Sequence, residues 1–265
     1  MVNIVDKLNA FLKGVIYYLT SHHRKGNRIH SPAVFEFVSN VLYDKKKYKE
    51  YALIEERIDE LIKDHSIVDI EDYGAGSAAF SSKSRRISDI ARLAGTDRKM
   101  GRLLFRMSRY YNPSYILEMG TSVGIGTIYL AKGAQDVVKV HTIEANKNLV
   151  DIARQNAVEL QCENIEYHVG LFDEELPELI NNIDNPALIY IDGNHTYNAT
   201  MNYFRLLDQK VHKGFIIIDD IYWSRGMENA WKEIRMLSEV SIDLYSVGII
   251  VKGEMLTPWQ YKIKY

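Results

Sequence analysis

Cysteine and proline are scarce in this sequence. Cys162 is the single cysteine, so no disulfide can form within the chain, and a reducing compartment is expected. Five prolines and 16 glycines among 265 residues are too few for a fibrous or low-complexity chain. The formal net charge is only -2, which gives no overall attraction for nucleic acid or an anionic membrane. The composition favours one α/β domain with an extension, or two small domains.

Long uninterrupted apolar runs are also missing. The N-terminal residues 4–20 have helical spacing but contain Asp6, Lys7, Asn9 and Lys13, which makes them too polar to span a membrane. The segment lacks the pattern of a signal-peptide cleavage site. We therefore expect a cytoplasmic protein with no membrane partner.

The spacing of apolar residues changes near residue 110. Before this point it is helical almost throughout, and helices are predicted at 3–20, 32–42, 47–64, 84–94 and 98–110. From Tyr115 onward, short apolar runs alternate with helical segments, and strands are predicted at 115–119, 138–143, 165–169, 187–191 and 214–218. We therefore predict a helical N-terminal extension (residues 1–110) followed by an α/β domain (residues 111–265).

Strands that alternate with helices predict a parallel sheet with helices on both faces. The expected fold class is therefore α/β, with a Rossmann-like, doubly wound, mostly parallel sheet of about seven strands. An antiparallel edge is expected from two of the three final runs, at 240–245, 248–252 and 261–264, and the pattern does not decide which two. Ligands of such sheets bind beyond the carboxyl ends of the strands, so the residues after each strand are candidates for the site.

Glycines follow the first predicted strand, in the run Glu118-Met-Gly120-Thr-Ser-Val-Gly124-Ile-Gly126. Glycine at such a bend lets the backbone approach a ligand. The second strand ends near Glu144, where a carboxylate can accept hydrogen bonds from both hydroxyls of an adenosine ribose. The G-x-x-x-G-x-G spacing differs from the G-x-G-x-x-G of dinucleotide oxidoreductases, which counts against a pyrophosphate ligand.

This combination resembles the class I methyltransferases that use S-adenosylmethionine (SAM). The resemblance implies that Glu118 lies near the methionine amino group and that Glu144 holds the ribose. It further implies cofactor contacts at Gly120, Thr121, Ser122, Gly124, Ala145, Gly170, Leu171, Phe172 and Asp192. Helix packing is the alternative role for Gly124, and a place in the core is the alternative for Phe172.

Three carboxylates follow the fourth and fifth predicted strands. Asp192 comes directly after residues 187–191, and Asp219 and Asp220 come directly after residues 214–218. Oxygen ligands of this kind suit Mg²⁺, Mn²⁺ or Ca²⁺ rather than zinc. The alternative is that Asp192 contacts the cofactor while Asp219 and Asp220 cap the next helix.

The arrangement resembles the cation-dependent O-methyltransferases related to the catechol and caffeoyl-CoA enzymes. The resemblance implies Asp192, Asp219 and Asp220 as metal ligands, although Asp220 stands where the group has asparagine. His195 occupies the position of the group's catalytic lysine, and an imidazole can take a proton from a phenol. We therefore predict transfer of the SAM methyl group to a small-molecule hydroxyl, with His195 and Asp192 catalytic. A partly exposed histidine at a helix start is the alternative for His195.

A basic segment supports a different function. Residues 83–109 hold nine Lys or Arg against two Asp, and their spacing is similar to a helix-turn-helix, which suggests a nucleic-acid-directed methyltransferase. A nucleic-acid partner is less favoured, because no wing-like hairpin follows. A SAM-binding protein without turnover is the third class. The expected role of residues 1–110 is to cover the cofactor site and to help form the acceptor pocket, and a homodimer contact is left open.

Overall fold

The computed structural model describes residues 14–15, 17–21, 29–70, 84–93 and 95–265. The predicted helix at 3–20 lies largely outside the described residues, as does a second glycine-rich run at 70–77 for which the sequence predicts a loop. In the part of the chain that is described, no helix has the length and apolar character needed to cross a membrane.

The described N-terminal residues are mainly helical. The helices are α1 (Pro32–Glu36), which continues as a π-helical segment (Phe37–Leu42), α2 (Lys49–Leu61), α3 (Ile87–Leu93) and α4 (Arg98–Tyr111). The Asp97 carboxylate accepts a hydrogen bond from the Met100 amide at 2.8 Å, which caps the start of α4. The last of these helices ends at Asn112, which adopts the left-handed conformation (φ 45°).

A small antiparallel sheet in this region departs from the prediction of helix. Strands β1 (Ile67–Asp69) and β2 (Ser84–Arg86) pair with each other, so the predicted helix at 84–94 begins only at Ile87. Each strand has three residues, which is too short for the alternation of a strand to be distinguished from helical spacing.

The main sheet has eight strands where about seven were predicted. The strands are β3 (Tyr115–Met119), β4 (Val140–Glu144), β5 (Ile165–Val169), β6 (Ala187–Ile191), β7 (Gly214–Asp219), β8 (Val240–Asp243), β9 (Val247–Lys252) and β10 (Trp259–Lys262). The intervening helices are α5 (Ile125–Gly133), α6 (Lys147–Glu159), α7 (Phe172–Leu179), α8 (Tyr197–Asp208) and α9 (Arg225–Leu237). The predicted mostly parallel, Rossmann-like fold is confirmed.

The strand order is β10-β8-β9-β7-β6-β3-β4-β5, and the strands from β5 to β7 are parallel. Strand β9 runs antiparallel to both β7 and β8, while β10 is parallel to β8, so all three final runs join this side of the sheet. The chain moves outward from β3 to β5 and then returns to β6 beside β3. This reversal places the switch point between β3 and β6, where a ligand is expected to bind.

Both faces of the sheet are covered, so every residue of β3 and β6 is buried. On one face, Ile116 and Tyr190 belong to a core that includes Leu103 and Leu104 of α4. On the other face, sheet residues pack against the helices α8 and α9. The helices before residue 110 therefore share their core with the sheet.

Several arginines of the basic segment have partners within the chain. Arg102 forms a bidentate pair with Glu55 at 2.6 and 2.8 Å, and Arg98 contacts Asp59 at 2.6 Å. The buried Arg106 donates a hydrogen bond to the carbonyl oxygen of Val41 at 2.6 Å. Much of the charge in residues 84–109 is thus used to hold α4 in the fold.

Candidate active site

The residues that follow β3, 120–126, form a turn that leads into α5 and is called the glycine turn below. It lies against the end of β6. Gly120 has φ +112°, and a Cβ atom at this position would be 2.0 Å from the carbonyl oxygen of Asp192. The Asp192 amide in turn donates a hydrogen bond to the carbonyl of Met119 at 2.8 Å. The two strand ends therefore meet at the switch point, and only glycine fits at residue 120.

Replacing Gly120 with alanine is expected to lower the free energy of unfolding by at least about 2 kcal/mol, because a clash with the backbone adds to the strain of a positive φ. Urea denaturation would measure the loss. Gly253→Ala is the matched control, since its Cβ would meet nothing closer than Leu256 at 4.0 Å. Equal stabilities of the two variants would contradict this account of the turn.

The carboxylate of Glu144, at the end of β4, is fixed by backbone donors. The amides of Ser122 and Asn146 each donate a hydrogen bond to it at 3.0 Å. Burial raises the pKa of Glu144, while these amides and that of Ala145 act in the opposite direction. Ser122 has φ +50°, a conformation that few non-glycine residues adopt. The structure therefore brings Glu144 next to the glycine turn.

The carboxyl group of Glu118 is buried beneath the same turn. It accepts hydrogen bonds from Thr127 and from Thr142, the latter at 2.7 Å. Burial raises the pKa of Glu118 to about 8, and the nearby charges of Asp192 and Glu144 add to the shift, whereas the two threonines oppose it. A cationic group bound beside Glu118 would favour its ionised form.

The other predicted cofactor residues occupy different surroundings. Gly124 has φ +83° at the start of α5, and its added Cβ would lie 2.7 Å from that of Ala153, which supports the packing role. Thr121 is buried and its hydroxyl is 2.6 Å from that of Thr142. Its side chain is thus engaged in the fold.

The residues after β5 lie near the same edge. The Gly170 amide donates a hydrogen bond to the Glu144 carbonyl at 3.1 Å, and Leu171 is 36% exposed. Phe172 is half-buried and packs edge-to-face on Tyr203, with 5.8 Å between the ring centroids. An added Cβ at Gly193 would be 2.8 Å from the Phe172 ring, so this ring borders the end of β6.

His195 joins the predicted aspartates into one cluster. Its Nε2 atom is 3.6 Å from Asp192 Oδ1 and 3.8 Å from Asp220 Oδ2. Burial alone would lower the pKa of His195, but the carboxylates of Asp192 and Asp220 outweigh it and the net shift is upward. Asp220 has φ +53° and Asn194 has φ +49°, so strained backbone gathers at this edge, as it does at many functional sites.

The Tyr190 hydroxyl is within hydrogen-bonding distance of two of these carboxylates. It lies 2.6 Å from Asp219 Oδ2 and 3.1 Å from Asp192 Oδ2. Burial raises the pKa of Asp219 to about 8, and the Asp192 charge contributes. Burial and the neighbouring Asp192 therefore disfavour the ionised form of Asp219.

Four functional candidates were missed in the sequence: Thr96, Thr127, Thr142 and Tyr190. Thr96 lies beside the glycine turn, since an added Cβ at Gly126 would be 2.7 Å from its hydroxyl. Thr127, Thr142 and Tyr190 lie in segments whose apolar spacing predicts a helix or a strand and gives no sign of a functional side chain.

Comparison with known proteins identifies the family of the central part of the chain. Residues 117–221 match the family described as a methyltransferase domain, a range that includes the glycine turn, Glu144 and all three aspartates. The chain therefore contains a methyltransferase domain over residues 117–221.

Relatives of this methyltransferase are distant. A curated relative, a probable cobalt-precorrin-6B C(15)-methyltransferase (decarboxylating) of Sulfolobus acidocaldarius, is 22% identical over 160 residues, or 60% of this chain and 78% of the relative. The O-methyltransferase of Bacillus cereus in complex with SAH is 21% identical, with a TM-score of 0.51 over 83% of this chain and 97% of its own. SAH-bound PaMTH1 of Podospora anserina is 14% identical, with a TM-score of 0.54 over 95% and 98%. At these identities the structures show a shared fold.

Proposed function

We propose that this methyltransferase transfers the methyl group of SAM to a hydroxyl of a small molecule, with a divalent cation assisting. The observation that supports this most directly is the position of the His195 cluster. An imidazole and carboxylates from the ends of β6 and β7 lie together at this edge, and Asp192 lies against Gly120 in the glycine turn that is expected to hold the cofactor. Transfer needs the nucleophile and the sulfonium in line, and this juxtaposition is suited to that requirement.

In this proposal the turn after β3 would hold the cofactor. Glu144 would accept hydrogen bonds from the ribose hydroxyls, and Glu118 would lie near the methionine ammonium. The backbone of Gly120, Thr121 and Ser122 would line the methionine and sugar. Further contacts would come from Gly124, Ala145, Gly170, Leu171, Phe172 and Asp192. The burial of Glu118 supports this role, because the methionine ammonium would supply the positive partner that a buried carboxylate needs.

His195 is proposed as the general base, with Asp192 orienting it. The neutral imidazole would take the proton of the acceptor hydroxyl as its oxygen bonds to the methyl carbon, while the bond from that carbon to sulfur breaks and SAH leaves. Asp192 and Asp220 then stabilise the imidazolium that forms, which is the physical meaning of the upward shift in the pKa of His195.

A cation at this edge would be held by Asp192, Asp219 and Asp220. The chemistry of these donors fits Mg²⁺, Mn²⁺ or Ca²⁺, and burial raises the pKa of both Asp219 and Asp220, so a bound cation would offset the cost of keeping them ionised. In the described part of the chain, the carboxylate oxygens of these three aspartates do not all come within 4.8 Å of one another. The side chains would therefore have to move closer to share one ion. When bound, the cation would polarise the acceptor hydroxyl.

The N-terminal residues are proposed to form part of the acceptor pocket. The Tyr17 hydroxyl lies at the ends of β8 and β10, where its single hydrogen is within reach of the carbonyl oxygens of Asp243 at 2.7 Å and Ile263 at 2.9 Å. Its ring lies 4.9 Å from that of Tyr245 and 6.5 Å from that of Tyr222, which follows the Asp219-Asp220 pair. These rings lie at the same edge of the sheet as the aspartates, because β8 and β10 run parallel to β7, and we propose that they border the acceptor pocket.

The test is methylation of a panel of catechols with isotopically labelled SAM, before and after treatment with a chelator. We expect chelation to reduce turnover at least about tenfold and Mg²⁺ to restore it, because the ion neutralises the carboxylates and polarises the hydroxyl. Asp219→Asn should remove the dependence on Mg²⁺ together with most of the activity. The exposed Asp184→Asn is the control, since it changes the same side chain outside the cluster.

The outcomes separate the parts of the proposal. Full activity after chelation would exclude the cation but leave methyl transfer standing. Label that appears in tRNA or duplex DNA, and in no phenol, would overturn the small-molecule acceptor.

A further inference from the structure

A second cluster of potential metal ligands lies on β4 and β5, away from the aspartates. His141 is on β4, and the register places it opposite Glu166 of β5, with His168 two residues further along. Side chains alternate along a strand, so these three project from one face of the sheet. Thr142, which contacts Glu118, projects from the other face. The cluster is therefore separate from the site proposed for the cofactor.

The distances within this cluster are short. His141 Nδ1 lies 3.2 Å from His168 Nε2. The carboxylate of Glu166 lies 3.9 Å from His141 Nδ1 and 4.0 Å from His168 Nε2. These ligand atoms all lie within 4.8 Å of one another, and no other group of three does so among the residues that the structure describes.

The spacing of the two imidazoles matches that of ligands on a tetrahedral ion. Zn–N bonds of about 2.0–2.1 Å at the tetrahedral angle separate two nitrogens by about 3.3 Å, close to the 3.2 Å observed. The Glu166 oxygens would need to approach by about 0.6 Å to reach a similar separation. The Glu166 side chain is 54% exposed, so it is free to make that adjustment.

We propose that His141, Glu166 and His168 bind a zinc ion that ties the edge strand β5 to β4. Two imidazoles and one carboxylate are a known ligand set for zinc, with the fourth position left for water. Both histidine side chains are 18% exposed, so the ligand atoms lie close enough to the surface for an ion to enter. The ring of His141 also stacks on Tyr115, with 4.9 Å between the ring centroids, which holds it in place.

The two imidazoles face each other through His141 Nδ1 and His168 Nε2. Without an ion, the two facing nitrogens share one hydrogen bond. A zinc ion would accept a lone pair from each.

The experiment is equilibrium dialysis of the full chain against Zn²⁺, with Co²⁺ as a spectroscopic substitute. We expect one ion per chain and an absorption spectrum of tetrahedral Co²⁺. His168→Gln and Glu166→Gln should each weaken binding at least about tenfold, because the loss of even an outer partner of a metal ligand costs that much. Unfolding curves in chelator would show whether each variant folds. Glu166 is largely exposed, so Glu166→Gln should fold normally.

Two controls locate the ion. His212→Gln removes an exposed histidine elsewhere, and Asp219→Asn removes a carboxylate from the other cluster. Neither should change the affinity for Zn²⁺. The proposal is overturned if the wild-type chain binds no Zn²⁺, or if binding survives in His168→Gln and is lost in Asp219→Asn.

Discussion

Glu144→Ala is expected to weaken the binding of SAM roughly 1000-fold. A carboxylate that accepts hydrogen bonds from both ribose hydroxyls contributes about 1.5–3 kcal/mol for each bond, and about 4 kcal/mol in total corresponds to a thousandfold change in Kd. The carboxylate is already held by the amides of Ser122 and Asn146, so little entropy is lost when the ribose binds. Calorimetric titration with SAM and SAH would measure the change.

Two further variants separate binding from folding. Glu144→Gln keeps the shape and one acceptor oxygen, so its loss should be intermediate. Glu163→Gln changes an exposed carboxylate and should leave Kd unchanged. If Glu144→Ala binds SAM as tightly as the wild type, the ribose is held elsewhere. Binding of a nicotinamide nucleotide in place of SAM would overturn the assignment of the cofactor.

The architecture could be predicted because it follows from local patterns. The runs that become β3 and β6 are buried on both faces, and Glu118 is the one charged residue among them, so their limits are clear in the sequence. The ends of the parallel strands also mark the site, since they bring Glu144 after β4 and Asp192 after β6 to one edge. The edge strands were harder to place. The three final runs carry no local signal of which neighbour each one pairs with, and the antiparallel β9 lies between β7 and β8.

The supporting residues could not be predicted for a different reason. Tyr190 lies in an apolar strand and reads as core, yet its hydroxyl reaches Asp219 across the register of β6 and β7. Thr142 supports Glu118 from a neighbouring strand, and Thr96 comes from the N-terminal part of the chain. Such contacts depend on which strands are neighbours, and the spacing of residues along the sequence does not contain that information.

Substitution of His195 tests whether this residue is the general base. Replacing it with alanine is expected to lower the rate of methyl transfer roughly 1000-fold, within the range of about 10²–10⁴ that general-base catalysis contributes. The affinity for SAM should stay within about twofold of wild type, because the described contacts of His195 are to Asp192 and Asp220 and do not include the glycine turn. Turnover of labelled SAM with a catechol acceptor and calorimetry with SAM would measure the two quantities.

His212→Ala serves as the control, since it removes an exposed imidazole at a distance from the cluster and should leave both quantities unchanged. A His195→Ala variant that retains full turnover would show that the imidazole only compensates the charge of Asp192 and Asp220. In that case its loss should still alter the affinity for Mg²⁺, because two carboxylates would lose a shared neighbour. A fall in turnover with unchanged SAM binding would instead show that the imidazole accepts the proton of the acceptor hydroxyl. Asp192 and Asp220 can then stabilise the charge of the imidazolium.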